Sequence, residues 1–329
     1  MSKKRSGFSN DRKAYKYGYY FPNNSNSTPF VCSSISLPQI ATYDSNTNYW
    51  VLNKNTTILE CQTLKISSNY SFLSIPDGLT LTNKGTIINL STIIVLASTY
   101  IGIINTGTIT NVGSIGNFGN IFNDVGGIIT NINKSVIINI IDESLNFISN
   151  ITNKGIINNI NGGGISNNGI INNDMGGIIK NATSGGIYNN YLFNNSGTIN
   201  IDILGGIIND ISGSIFNTGT INNNSNIIGS YGACGGIINS GTIKNIISGI
   251  INNNNGAIIN NNGGIILLEN ESVFNNNNGA IIYNINSGYI NTSRGTYNEN
   301  GTLNNADGTS TCGIGILVRT YANGTDCPP

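Results

Sequence analysis

Histidine is absent from this chain of 329 residues, and charged residues are scarce. Without histidine the chain cannot carry Ser-His-Asp or Cys-His catalysis, a histidine metal site or a histidine acid or base. Charged residues make up only 9% of the sequence and the formal net charge is zero, which does little to keep molecules apart in solution. These absences exclude the commonest hydrolytic sites and leave structural and binding roles to consider.

Metal and cofactor signatures are missing as well. The five cysteines lack the paired spacing of a zinc site. Calcium-binding β-roll repeats place Asp where this chain has uncharged Asn, and neither a P-loop nor a dinucleotide-binding fingerprint is present. No cofactor or metal is therefore expected.

The sequence leaves the pairing of the cysteines open. One interpretation joins Cys32 to Cys61 and Cys312 to Cys327, which would staple the chain on both sides of its repeats. The alternative is a set of reduced, buried thiols. Since the number of cysteines is odd, one of them is also available to link two chains.

Long apolar runs are missing too. No stretch reaches the roughly 18 apolar residues of a membrane-spanning helix. The charged residues 1–13 are not followed by the apolar core of a secretory signal. The sequence therefore predicts no membrane span and assembly inside the producing cell.

The chain is rich in a five-residue phrase, Gly-x-Ile-x-Asn, whose copies recur with a period of 22 residues. Stepping by this period predicts a structural core column of apolar residues and, two residues later, an asparagine ladder. The predicted core column is Ile171, Phe193, Ile215, Ile237, Ile259, Ile281 and Leu303, and the predicted ladder is Asn173, Asn195, Asn217, Asn239, Asn261 and Asn305.

The spacing within the phrase is that of a β-strand. Residues at i, i+2 and i+4 of a strand point to one face, so Gly, Ile and Asn all face inward. Successive phrases are centred 6 or 8 residues apart, so three of them make one period. The predicted fold is an all-β, three-sided parallel β-solenoid of about ten coils, with stacked Ile filling the axis and stacked Asn sharing amide hydrogen bonds.

Two stretches carry a family resemblance. The segments LTLTNKGTIIN (79–89) and NTGTITNVGSIGN (105–117) resemble the repeats of filamentous-haemagglutinin-type adhesins and related right-handed β-helices. The richness in Asn and Ile is also similar to that of repeat proteins from giant DNA viruses. The resemblance implies a rod at a bacterial surface or on a viral particle.

The repeats do not cover the whole chain. Residues 81–305 are predicted to form the solenoid, 31–80 an N-terminal cap and 306–329 a C-terminal cap or linking segment, since these flanks break the pattern. Residues 1–30 read as an arm with a net charge of +5. The arm also holds the four tyrosines of a predicted assembly segment: Tyr15, Tyr17, Tyr19 and Tyr20.

The arm has three interpretations. It is a disordered tail, a docking strand that adds to a neighbouring subunit, or a nucleic-acid contact. Nucleic acid is not the expected partner, because no basic stripe continues into the repeats.

Catalytic carboxylates are sparse in the repeats. Among the acids, Glu269 and Glu271 alone share a strand face, and they fall in an irregular interval. Two carboxylates at a defined separation are what a glycosidase requires, although a solvated loop is the expected outcome. On the outward positions the apolar residues Ile238, Ile282, Phe216 and Leu192 favour packing against another subunit.

The sequence thus predicts a structural, self-assembling subunit of a surface fibre, spike or appendage, with the resemblance extending this to a virus particle, and no enzyme activity. The expected partners are copies of the chain and other proteins of the particle or surface. The alternative is a receptor- or glycan-binding spike, or a glycan-cleaving one, with a groove near residues 131–151 or 265–281.

Overall fold

The structure is built almost entirely of short parallel strands. The computed structural model describes residues 33–67, 72–96, 101–142, 147–225, 236–240, 242–245, 250–253, 258–262, 264–268, 272–277, 280–286, 289–292, 296–299, 301–305 and 310–312. They form three sheets, here called A, B and C, which the chain visits in turn. The prediction of a three-sided parallel β-solenoid is confirmed.

Each sheet takes one strand from every coil. Sheet A contains β1 (Ser34–Ile35), β5 (Thr63–Ile66), β8 (Thr86–Asn89), β11 (Thr108–Asn111), β14 (Ile128–Ile132), β19 (Ile156–Ile160), β22 (Ile178–Ala182), β25 (Thr198–Ile201), β28 (Thr220–Asn223), β31 (Ile250–Asn253), β34 (Val273–Asn276) and β37 (Thr296–Glu299). Sheet B contains β2 (Ala41–Asp44), β3 (Tyr49–Leu52), β6 (Phe72–Ile75), β9 (Thr92–Val95), β12 (Ser114–Asn117), β15 (Val136–Asn139), β20 (Gly164–Asn167), β23 (Gly186–Asn189), β26 (Gly206–Asn209), β29 (Gly236–Asn239), β32 (Ile258–Asn262), β35 (Ile281–Ile285) and β38 (Thr302–Asn305). Sheet C contains β4 (Thr56–Ile58), β7 (Leu81–Asn83), β10 (Ile101–Asn105), β13 (Asn120–Asn123), β18 (Asn150–Asn153), β21 (Ile170–Asn173), β24 (Leu192–Asn195), β27 (Ser214–Asn217), β30 (Thr242–Asn245), β33 (Ile265–Leu268), β36 (Tyr289–Asn291) and β39 (Ser310–Cys312).

Alternation along each strand places Ile and Asn inside. In β27, Ile215 and Asn217 are fully buried while Ser214 and Phe216 face outward and are half-buried. Because side chains of a strand alternate between its two faces, one apolar and one Asn residue per strand suffice to fill the interior. Stacked residues are 22 apart in regular coils, as between Asn83 and Asn105.

The predicted core column requires a correction beyond Ile215. Ile171, Phe193 and Ile215 are stacked on sheet C, but the next residue of that stack is Ile243. This coil is longer: the asparagine two residues after Ile215 stacks on one 28 residues further along. A fixed step of 22 therefore ends on the neighbouring strand and enters sheet B.

The second half of the predicted column consequently lies on another face. Ile237 and Ile259 are stacked in sheet B. The next stacked residue is Ile282, so Ile281 faces outward and Leu303 lies on Ile282. The outward orientation expected for Ile282 is therefore wrong. The predicted ladder divides in the same way, with Asn173, Asn195 and Asn217 in sheet C and Asn239, Asn261 and Asn305 in sheet B.

Some corner glycines, such as Gly126 and Gly176, have a positive φ, but others are required by the close approach of neighbouring coils. Gly107 does not have a positive φ; instead a Cβ there would overlap the carbonyl oxygen of Gly85 in the preceding coil. That oxygen accepts a hydrogen bond from the backbone N–H of Thr108 at 2.8 Å. Glycine is needed because consecutive coils approach too closely at the corner for any side chain.

The sheets extend past the boundaries predicted for the solenoid, which are thereby corrected. Strands β4, β5 and β6 lie within 31–80, and β39 lies within 306–329. The N-terminal end is closed by α1 (Leu37–Ile40), which buries Leu37 and Ile40, and by β2, which runs antiparallel to β3. An antiparallel strand ends a parallel stack and protects its edge. The arm, residues 1–30, lies outside the described residues.

The turn of this terminal hairpin is fixed by a carboxylate. Asp44 accepts hydrogen bonds from the backbone N–H of Asn46 at 3.0 Å and the hydroxyl of Thr47 at 2.9 Å. The bond from Asn46, and then that from Thr47, lowers the pKa of Asp44.

The irregular stretch 131–151 contains an inserted hairpin. Strands β16 (Ile141–Asp142) and β17 (Phe147–Ile148) pair antiparallel with each other and with no other sheet among the described residues. Residues 140 and 149 then occupy the two corner positions held elsewhere by residues 168 and 169. The insertion accounts for the ladder step of 30 between Asn123 and Asn153.

Candidate functional site

The interior contains three ladders of buried, hydrogen-bonded Asn side chains, one on each sheet. In sheet C, Asn173 donates to Oδ1 of Asn195 at 2.7 Å, and Asn195 donates to Oδ1 of Asn217 at 2.6 Å. The second N–H of each amide bonds a backbone carbonyl, as from Asn195 to Thr220 at 3.2 Å. Sheet B carries the same arrangement without a break from Asn117 to Asn305. Fully bonded amides of this kind hold each coil in register with the next.

The ladders begin and break where an apolar residue occupies the asparagine position. Asn83 follows Ile58 in sheet C, and its Oδ1 has no hydrogen-bond partner. In sheet A, Ile201 stacks on Asn181, whose Nδ2 keeps only its bond to the backbone oxygen of Gly206 at 3.0 Å. This bond is the counterpart of the bond from Asn195 to Thr220. These positions show that ladder members are individually replaceable by an apolar residue.

A further ladder lies on the outside of sheet A. Its direction is the reverse of the buried ones, because Nδ2 of Asn222 donates back to Oδ1 of Asn200 at 2.9 Å. Three further bonds of 2.7–2.9 Å continue this ladder through Asn252, Asn275 and Asn298. Lys65 and Lys180 also face outward on this sheet.

The outer face of sheet B differs from the other two faces in having no charged residue at any outward position of strands β3 to β38. Two parallel rows define its centre. The glycine row is Gly164, Gly186, Gly206 and Gly236, and the ridge, two residues further along the same strands, is Ser166, Tyr188, Ile208 and Ile238.

Three members of the glycine row, Gly164, Gly186 and Gly206, line a trough with a volume of about 260 Å³. Lys134 and Ser184 line one side, while Tyr188 and Ile208 line the other. A Cβ at Gly164 would lie 2.7 Å from the carbonyl oxygen of Gly186, so the trough cannot be filled by a side chain of this row without a backbone shift.

Tyr188 is the most exposed residue of the ridge. It is 40% exposed, and its hydroxyl bonds the carboxylate of Asp210 in the next coil. The neighbouring Ile208 and Ile238 are half-buried in the single chain. The centre of this face is therefore an apolar ridge beside a row without side chains.

Comparisons with known proteins add only a distant likeness of fold. No family model and no curated protein matches the chain. The chain is similar to the crystal structure of a TibC-catalysed, hyper-glycosylated fragment of TibA, at 14% identity and a TM-score of 0.27. The match covers 86% of this chain and 92% of that one.

Only some of the residues predicted to act in catalysis, assembly or disulfide bonding belong to the described part of the chain. Glu269, Glu271 and the four tyrosines of the arm lie outside the described residues, as do Cys32 and Cys327. Cys61 is half-buried beyond β4, and Cys312 ends β39. In the described part of the chain no three His, Cys, Asp or Glu residues group as metal ligands, and no helix is long and apolar enough to cross a membrane.

The sequence contains a signal for the outer face of sheet B that the fixed period overlooked. The motif Gly-Gly-Ile-x-Asn, in which Asn follows Ile by two residues, begins at Gly163, Gly185, Gly205 and Gly235. Elsewhere Gly-Gly-Ile is followed by Asn three residues after the Ile, as in 126–131 and 176–181. The closer spacing marks the strands whose first outward position is glycine.

Proposed function

We propose that this chain is a structural, self-associating β-solenoid, used as a subunit of a surface fibre, spike or appendage. The observation that carries the proposal is the occupied interior: in β27, as in its neighbours, both inward side chains are buried and stacked on the next coil. Such an interior supplies stiffness and regular outer faces, which is what a fibre subunit needs.

The wider setting rests on sequence. The repeats resemble those of surface adhesins and viral repeat proteins. From this resemblance we propose that the chain is located on a virion surface or an extracellular appendage and that it contacts other proteins there. The arm, residues 1–30, is proposed as the joint between subunits because it concentrates positive charge and tyrosines.

Deletion of residues 1–30 tests the role of the arm in assembly. We expect the truncated chain to keep the far-ultraviolet circular dichroism of a β-solenoid but to stop polymerising, as seen by negative-stain electron microscopy at matched concentrations. A second variant that replaces Tyr15, Tyr17, Tyr19 and Tyr20 by Ser keeps the length and charge of the arm. Polymers of unchanged form from both variants would remove the arm from the proposal, and isolated rods from the full chain at every concentration would overturn self-association itself.

A glycan-binding spike is the second candidate, and the trough on sheet B is the observation that favours it. Its aromatic and lysine-bearing sides resemble the edges of a ligand groove, although its volume of about 260 Å³ is below the roughly 300–1,000 Å³ of most ligand pockets. Binding on a glycan array that is lost in Tyr188→Ala would support this candidate.

A further inference from the structure

The three outer faces are unequal in charge. Lys65 and Lys180 project from sheet A, and Lys244 projects from sheet C, where its Nζ lies 5.6 Å from the ring centre of Phe216. Sheet B has no such residue at its outward positions in strands β3 to β38.

The charges nearest to this face lie at its edges, on Lys134 beside the trough and on Asp210, which bonds Tyr188. A face whose strand positions carry no charge loses less solvation on contact than a charged one, and exposed apolar residues such as Ile208 and Ile238 are typical of protein interfaces.

We propose that the outer face of sheet B is a self-complementary interface that joins two copies of the chain side by side, with the two solenoids parallel and related by a two-fold axis along their length. This inference rests on the proposed function and adds to it the partner, a second copy, and the face that binds it.

The two-fold axis follows from the two rows. A two-fold rotation about an axis parallel to the solenoids reverses the direction of the partner's strands. Each coil of the partner then lies at the same height along the axis as the identical coil of the first copy. The ridge of one copy then lies over the glycine row of the other, with Tyr188 facing Gly186 and Ile208 facing Gly206. Rotation about an axis along the strands would instead place trough on trough and ridge on ridge.

The interlocking arrangement gives the closer packing. Each ridge side chain lies over a row that carries no side chain, so the two backbones can approach more closely there. Both copies repeat at the same strand spacing of roughly 4.8 Å, so one matched contact brings its neighbours into register. The contact is isologous, since the same rows are used by both copies.

The size of the face agrees with a stable pair. Twelve strands of about four residues span roughly 53 Å by 13 Å, which is on the order of 700 Å² per copy, and the interlocking rows occupy the four strands β20, β23, β26 and β29 within this area. A standard protein–protein interface buries about 800 Å² per partner. Because a two-fold contact uses the same face of both copies, association through this face stops at a dimer. The ends of the solenoid remain available for lengthwise assembly.

Charge placed on the ridge tests the interface. In the full-length chain, Ile208→Lys and Ile238→Lys each put two unpaired charges into the contact, and we expect pairing to weaken at least about 100-fold. The matched controls are Asn200→Lys and Asn222→Lys, which place the same charge on sheet A in adjoining coils, next to the native Lys180. Sedimentation equilibrium measures the mass, and circular dichroism checks the fold.

Cross-linking tests the direction of the two copies. Val136 and Ile138 occupy the glycine-row and ridge positions of β15, so Val136 of one copy should face Ile138 of the other. Chains carrying Val136→Cys are mixed with chains carrying Ile138→Cys, treated with a short thiol cross-linker and analysed by mass spectrometry. We expect links between positions 136 and 138. A chain that pairs without forming these links would overturn the parallel arrangement, because a pair related by an axis along the strands and centred on the face sets β15 opposite β26.

The remaining outcomes separate the interface from the function. If the ridge variants pair as strongly as the sheet A controls, the proposed interface is wrong. The proposed function would still stand in that case if electron microscopy showed polymers. A full-length chain that stays a single rod would overturn both. A glycan that binds the native chain, and that Ile208→Lys excludes without a change in mass, would assign the trough to a ligand instead.

Discussion

At the residue scale, the stability of the fold depends on uncharged amide side chains that are buried in the interior. An inner Asn in the middle of a ladder has its donors and acceptor bonded by the coils on either side, as at Asn195. Leaving a buried donor or acceptor without a partner costs about 1–3 kcal/mol, whereas replacing all partners by apolar groups can be neutral. The natural break at Ile201 removes one partner, and the neighbouring Asn181 keeps its bond to the backbone oxygen of Gly206.

Two adjacent residues test this difference. Asn195→Ala leaves an N–H of Asn173 and the Oδ1 of Asn217 without a partner, so we expect a loss of about 3 kcal/mol in the free energy of unfolding. Asn194 points outward and bonds only Asn172, at 2.8 Å, so Asn194→Ala should cost less than about 1 kcal/mol. Urea denaturation compares the two, and equal losses would contradict a structural role for the inner ladder.

The direction in which Ile and Asn face was predictable from their spacing alone. The i, i+2 relation within one phrase is local, and it holds in β27 and its neighbours. The reason for the corner glycines was not predictable, because the clash at Gly107 is with Gly85 in another coil. A fixed period of 22 residues could not predict which residues stack beyond Asn217 either. The segments at the corners differ in length from coil to coil, while the strands keep their pairing.

At the element scale, the insertion at 141–148 shows how the chain accommodates extra residues. Ile141 and Ile148 are paired across the hairpin, so its two ends lie next to each other at the corner. Loops that leave and return at one point are tolerated because closing them costs little more as they lengthen. The strands on either side, β15 and β18, keep the register of their sheets.

Removing the hairpin should therefore leave the solenoid intact. Deletion of residues 141–148 joins residues 140 and 149 into a two-residue corner like that at 168–169. We expect the melting temperature to change by only a few degrees. A matched deletion of eight residues that removes β21, residues 167–174, should unfold the protein, and a similar loss from both deletions would contradict the view of 141–148 as an insertion.

At the scale of the whole molecule, the strands that the structure describes in sheets A, B and C pair with strands of the coils next to their own. Phe193 is fully buried and packs in the middle of sheet C between Ile171 and Ile215. In a structure of this type stability is close to a sum of coil and interface terms, so a local defect can divide the stack.

Phe193→Ala should create such a defect. We expect a loss of about 3–5 kcal/mol, with amide hydrogen exchange rising first in coils next to β24 and later in coils far from it. Leu192→Ala, which changes an outward residue of the same strand, is the control. Exchange that rises equally along the whole chain would show a single cooperative unit instead.

The hairpin at 141–148 also has a practical consequence. Since a peptide can enter one corner without moving the strands, foreign sequences grafted at different corners would be displayed at heights set by coil number, in steps of roughly 4.8 Å. The chain would then serve as a molecular ruler, on which the separation between two displayed groups is chosen by counting coils.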